Sequence, residues 1–142
     1  MSEPNLENLA RIGKLKAEPS ARSEFDGLLR SGQRRLQDAD NTTLNLESRF
    51  DLAYNAAHAL ALAALRWHGY RSENRYLVFQ CLPHTLALSN EQWRVLDQAH
   101  RMRNLAEYEG NVDIDAALVE AVIRTAREVE QRVAVLTPPA ED

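Results

Sequence analysis

Apolar positions recur at close to helical spacing along nearly the whole chain, so the pattern predicts helices from one end to the other. Leu6, Leu9, Ile12 and Leu15 mark a short first helix over Asn5–Lys16, weakened by Gly13. Pro19 interrupts it. Ser20 offers a cap to a second helix that carries Phe25, Leu28, Leu29 and Leu36 toward Asp40, and the polar stretch Asp38–Thr43 reads as a loop. The clearest helix follows: Asn45 caps it, Leu46, Phe50, Ala53, Ala57, Leu60, Ala64 and Trp67 form its stripe, and Gly69 stops it. It should be about 34 Å long. Its alanines (Ala53, Ala56, Ala57, Ala59, Ala61, Ala63 and Ala64) let neighbours approach on several sides, which makes it the expected central helix.

Ser72 can cap a fourth helix through Tyr76, Leu77, Phe79 and Leu82, which Pro83 kinks or splits. Ser89 and Gln92 have capping-box spacing and open a fifth, ended by Glu109-Gly110-Asn111. A last helix from about Asp113 repeats Leu118, Val122, Thr125, Val129, Val133 and Leu136, and Pro138 and Pro139 close it. The expectation is an all-α, compact bundle of five or six helices in a single domain. It divides into N-terminal helices over 1–43, a core over 44–137 and an acidic tail over 138–142.

Composition narrows the class. Five glycines and five prolines are too few for a β-sandwich, and 6% aromatic residues imply a mostly aliphatic core. The most apolar run, Ala56–Leu65, contains His58 and precedes Arg66, well short of the ~18–20 apolar residues of a membrane span. A single cysteine, Cys81, excludes an internal disulfide framework and reads as a core thiol. With no recognisable signal sequence, it points to a cytoplasmic setting. The net charge of −4 gives no overall basic footprint for nucleic acid. RNA contact would need a local patch such as Arg30, Arg34 and Arg35, or Arg101 and Arg103. The plain reading of the first group is a solvated helix face.

The richest chemistry lies on the fifth helix. Val95, Ala99, Met102 and Ala106 form an apolar face, while Trp93, Asp97, His100, Asn104, Glu107 and Tyr108 cluster opposite, with Arg103 at the boundary. Asp51, Tyr54 and His58 share one side of the central helix and could face that stripe to complete a polar pocket. The four histidines lack metal-ligand spacing, and no cofactor motif is evident. Arg103 and Glu107, at i and i+4, also suit a simple intrahelical ion pair.

Arg103-Asn104 followed by Tyr108, placed just before the closing helix, resembles the motif of the HEPN superfamily, in which Arg and a polar residue precede a His. The resemblance spans Leu46–Leu136 and includes the Ala-rich helix and its Gly69-Tyr70-Arg71 exit. Tyr108 stands where the commonest spacing puts the catalytic His. What the resemblance implies is a HEPN-like bundle acting as a homodimer, with RNA or a nucleotide as ligand. It also implies a place in a toxin–antitoxin or defence module, with a nucleotidyltransferase or antitoxin protein as partner. Arg103 would bind phosphate, Asn104 would orient it, and Tyr108 would occupy the lost histidine's place. His suits proton transfer from a ribose 2′-hydroxyl because it titrates near neutrality, whereas a phenol titrates near ~10. Two alternatives stay open: an active metal-independent endoribonuclease in which Tyr108, Glu107 or His100 fills the missing role, and a helical adaptor without nucleotide chemistry.

Overall fold

Polar caps and glycines divide the chain where its apolar stripes begin and end. The computed structural model describes residues 3–110 and 113–142. In order, these form α1 (Pro4–Arg11), β1 (Lys16–Ala17), α2 (Arg22–Ala39), α3 (Leu46–Trp67), β2 (Tyr70–Arg71), α4 (Arg75–Gln80), α5 (Leu82–Thr85), α6 (Asn90–Glu109) and α7 (Ala116–Ala134). With α4 and α5 taken as one helix broken at Cys81, this is an all-helical six-helix bundle. No helix among the described residues is long and apolar enough to cross a membrane.

Several starts follow the expected chemistry. The Asn45 side chain accepts from the Ser48 N–H at 2.8 Å, and Ser89 and Gln92 complete a reciprocal capping box. Others differ. α2 begins after Ala21 rather than at a Ser20 cap, and its Ser23 N–H instead donates to the Asp142 carboxylate at 3.0 Å. The expected acidic tail is thus the anion at that helix's positive end. α4 is capped by Asn74, not Ser72, and α7 by Asp115, which leaves Asp113 outside the helix. α2 also runs on through Asp38 and Ala39, because Arg49 Nε donates to the Ala39 carbonyl at 2.7 Å. In α1, Gly13 at φ +82° turns the chain after Arg11 and leaves Ile12 exposed. Asn111, expected in the break after Glu109, lies outside the described residues.

α3 is the central helix, packed against α2, α7, α4, α5, α6 and β2. Its alanines, with Phe50, Tyr54, Leu60 and Leu65, are buried. α2 crosses α3 so closely that a Cβ on Gly32 would lie 2.4 Å from Leu60 Cγ. The chain leaving α3 turns at Gly69 (φ +89°) and pairs β2 with β1 antiparallel, Lys16 opposite Arg71 and Ala17 opposite Tyr70. This two-residue pairing is invisible to a hydrophobic-periodicity reading.

Arg66, only 2% exposed, binds that junction together. Its Nε donates to Glu24 at 2.7 Å, Nη1 to the Glu18 and Tyr70 carbonyls at 2.8 and 3.3 Å, and Nη2 to the Pro19 carbonyl at 2.6 Å. Nη2 also lies 3.5 Å from the Glu18 carboxylate, an ion-pair contact that adds to the four hydrogen bonds. Arg71 joins the same two carboxylates.

Candidate functional site

Tyr54, fully buried on α3, is the hub around which the candidate polar residues gather. Its hydroxyl lies 2.9 Å from His100 Nδ1, and His100 Nε2 lies 3.2 Å from the Asn104 amide nitrogen. With that amide donating to Nε2, the imidazole carries its proton on Nδ1 and gives it to the Tyr54 oxygen. The rings of Phe50, Phe79 and His100 pack around Tyr54 at centroid distances of 5.6–6.3 Å. Two guanidiniums flank the same ring, Arg103 at 5.2 Å and Arg75 at 5.8 Å.

The aromatic packing explains why α6 buries part of its polar stripe as well as its apolar face, of which Ala99 is buried and Val95 and Met102 pack against the core. Leu96 and Ala99 are buried, and His100 and Arg103 are half-buried beside them. Ring faces on α3 and α4 accept an imidazole and a guanidinium where an aliphatic surface would not.

Burial sets the local ionisation, and the arginines reinforce it. Burial first, then Arg75 and Arg103, push His58 down to about 4, and burial with Arg103 holds His100 below the usual histidine value. Burial raises the Tyr54 phenol against the pull of Arg103 and Arg75. Asp51 is exposed overall, yet its packed side is desolvated enough to raise its carboxyl in spite of Arg103. Because the folded state depresses His58, stability is complete above the unfolded value near 6.5 and declines as pH falls from there toward 4. NMR titration should therefore show His58 unprotonated until about pH 4, and Arg75→Ala should raise its midpoint; a His58 midpoint near 6.5 would contradict the burial described.

Of the residues singled out in sequence, Tyr54, His100, Asn104 and Arg103 come together, and Asp51 sits beside them. Asp51, Glu47, Arg103 and Glu107 border a cleft of about 270 Å³ reaching to Gly110 and Ile114. Arg103 lies 3.9 Å from Glu107, a loose i,i+4 pair. His58 stands behind Phe79, ring to ring at 6.0 Å, and touches the cluster through that ring. Tyr108 does not join it: at 88% exposure it projects from the last turn of α6. The pattern also missed Arg75 and Tyr76. Arg75 follows the Asn74 cap and donates to Asn55 Oδ1 at 2.9 Å, while Tyr76 lies between His100 (5.1 Å) and Trp93 (5.7 Å). Asp97, paired with Arg101 at 3.2 Å, raises the Tyr76 phenol. The signal available was an Arg-Tyr dipeptide opening a helix directly after an Asn cap.

Cys81 is buried, and burial pushes its thiol up to about 11, which fits a core residue. Among the described residues, no three His, Cys, Asp or Glu side chains converge as a metal site requires. No protein-family model matches the chain, and no curated protein matches it significantly.

Proposed function

We propose that this protein is a HEPN-like bundle that binds RNA or a nucleotide through its phosphates, as a homodimer, in the cytoplasm. The observation that carries this reading is the pair of guanidiniums, Arg103 and Arg75, gathered within 6 Å of the Tyr54 ring. Among the described residues Arg75 makes no ion pair, and Arg103 pairs only loosely with Glu107 at 3.9 Å, with Asp51 on the same cleft, so both retain donors for an anion in a chain of net charge −4. Arginine suits this task because its planar fork matches phosphate oxygens. Asn104 fixes the His100 ring, and the exposed Tyr108 stands at the end of α6, where a two-fold partner could complete the cleft. In this reading an antitoxin or nucleotidyltransferase protein is the partner that would control access.

A second reading, metal-independent RNA cleavage, is favoured by one feature: His100, rather than Tyr108, is the group held neutral and hydrogen-bonded beside the arginines. Once a substrate hydroxyl displaces the Asn104 amide from His100 Nε2, that neutral nitrogen can take the proton of a ribose 2′-hydroxyl while Arg103 and Arg75 neutralise charge on phosphorus. Both readings meet in one experiment: anisotropy binding of labelled RNA, and its cleavage in EDTA. Arg103→Ala should weaken binding roughly tenfold or more. Wild-type affinity in both Arg103→Ala and Arg75→Ala would refute the phosphate site. Cleavage lost in His100→Gln but kept in Tyr108→Phe would select the nuclease.

A further inference from the structure

The solvent-facing side of α3 lies between two groups of arginines. On one flank, Arg30, Arg34 and Arg35 of α2 are exposed and border an open groove of about 430 Å³ with Leu52 of α3 as one wall. None of the three makes an ion pair among the described residues; the nearest bond is from Arg35 to Ser31, though Asp38 also borders the groove. On the other flank, Arg75 reaches α3 at Asn55. Leu52 and Asn55, three residues apart, are surface neighbours on that helix. The two basic groups are therefore continuous across it, from α2 over Leu52 and Asn55 to α4.

Past Arg75 the lane ends on a shelf of aromatic rings, with Tyr76 and Trp93 both half-buried and tilted against each other. Helices pack ~8–10 Å apart, so a lane over three of them runs on the order of 16–20 Å. That is too long for one phosphate group. A run of cations leading to ring faces is what a single strand needs, its backbone neutralised and its end bases stacked. An acidic peptide would use the arginines and leave the rings idle. Glu47 lies nearer the start of α3, while Asp51, whose carbonyl accepts from the Asn55 amide at 2.8 Å, borders the lane as a carboxylate among its arginines.

We propose that the ligand is an extended single-stranded nucleic acid lying across α3, from Arg30 and Arg34 through Arg75 to the Tyr76–Trp93 shelf. This rests on the phosphate-binding reading above and replaces a mononucleotide by a strand. The carrying juxtaposition is Leu52 in the α2 groove with Asn55 one turn on, bonded to Arg75.

The test is anisotropy titration of a fluorescein-labelled oligouridine dodecamer with the full chain over a range of KCl concentrations. Wild type is compared with Arg30→Gln/Arg34→Gln and with Arg75→Gln, using UMP and polyglutamate of equal charge as competitors. The α2 double variant should weaken the dodecamer about fivefold and flatten the slope of log affinity against log salt by about 1.4. Its circular dichroism should be unchanged, because both side chains are exposed, and UMP should compete poorly. Unchanged dodecamer binding in the double variant, with loss in Arg75→Gln, would overturn the strand and leave the phosphate site standing. Absence of RNA binding by wild type would overturn both. Polyglutamate competing as well as the oligouridine would overturn nucleic acid in favour of an acidic protein.

Discussion

Replacing Arg66 with leucine is expected to destabilise the fold by about 3–5 kcal/mol, the usual cost of removing one partner from a buried ionic network. Leucine fills part of the space but leaves the Glu18, Pro19 and Tyr70 carbonyls without the donors Arg66 gives them, and the Glu24 carboxylate with Arg71 alone. For a chain of this length the melting temperature should fall by on the order of 10 °C. The same network predicts acid sensitivity. A hydrogen bond from Arg71 holds Glu18 below the usual carboxylate value. Burial alone would raise Glu24, but hydrogen bonds from Arg66 and Arg71 overcome it and hold Glu24 low as well. Carboxyls depressed in the folded state add stability above their unfolded value near 4.5, and that stability is lost as pH falls through the lower folded values. Urea midpoints from pH 7 to pH 3 should therefore drop more steeply in wild type than in Arg66→Leu. Parallel curves would show that the network does not couple to folding.

The second large effect is a reversal of sign between two glycines of α2. Gly27 and Gly32 occupy the same helix, where alanine in place of glycine ordinarily gains about 1 kcal/mol. At Gly27 a Cβ meets nothing within 4 Å, so Gly27→Ala should stabilise by roughly that amount. At Gly32 the new methyl lies 2.4 Å from Leu60 Cγ and 2.6 Å from Cδ2, and Leu60 is wholly buried with no room to retreat. Overpacking of that kind costs about 1–3 kcal/mol, so Gly32→Ala should be neutral at best, and Gly32→Val clearly destabilising. Gly32→Ala combined with Leu60→Ala should cost less than the sum of the single changes, because the new methyl occupies the space vacated. Strict additivity would mean that the two helices separate rather than clash.

Helix identity was legible in the sequence wherever one continuous stripe of apolar residues faces the core, as in α7 with Leu118, Val122, Val129 and Val133, all buried. Starts were legible where cap and helix are adjacent in sequence, as at Asn45 and Ser89. The α2 start was not, because the anion at Ser23 arrives from Asp142, 119 residues away. The candidate site was half legible. Spacing placed Tyr54 and His58 on one side of α3 and His100 and Asn104 on one side of α6. It offered the pairing of the two stripes without the contacts that make it, because periodicity counts a histidine or arginine as solvent-seeking and has no means of knowing that rings await them. Arg66 was passed over for a related reason: its partners are mostly backbone carbonyls, which every residue has.

The chain has two tryptophans, and they stand in unlike surroundings. Trp67 Nε1 donates to the Thr137 carbonyl at 2.7 Å, which fastens the segment after α7 to the end of α3. Trp93 leans on Tyr76 at the edge of the candidate site. The molecule thus carries two built-in optical reporters. Emission from Trp67, isolated by Trp93→Phe, would follow release of the C-terminal segment, and emission from Trp93, isolated by Trp67→Phe, would follow occupancy of the site without any added label.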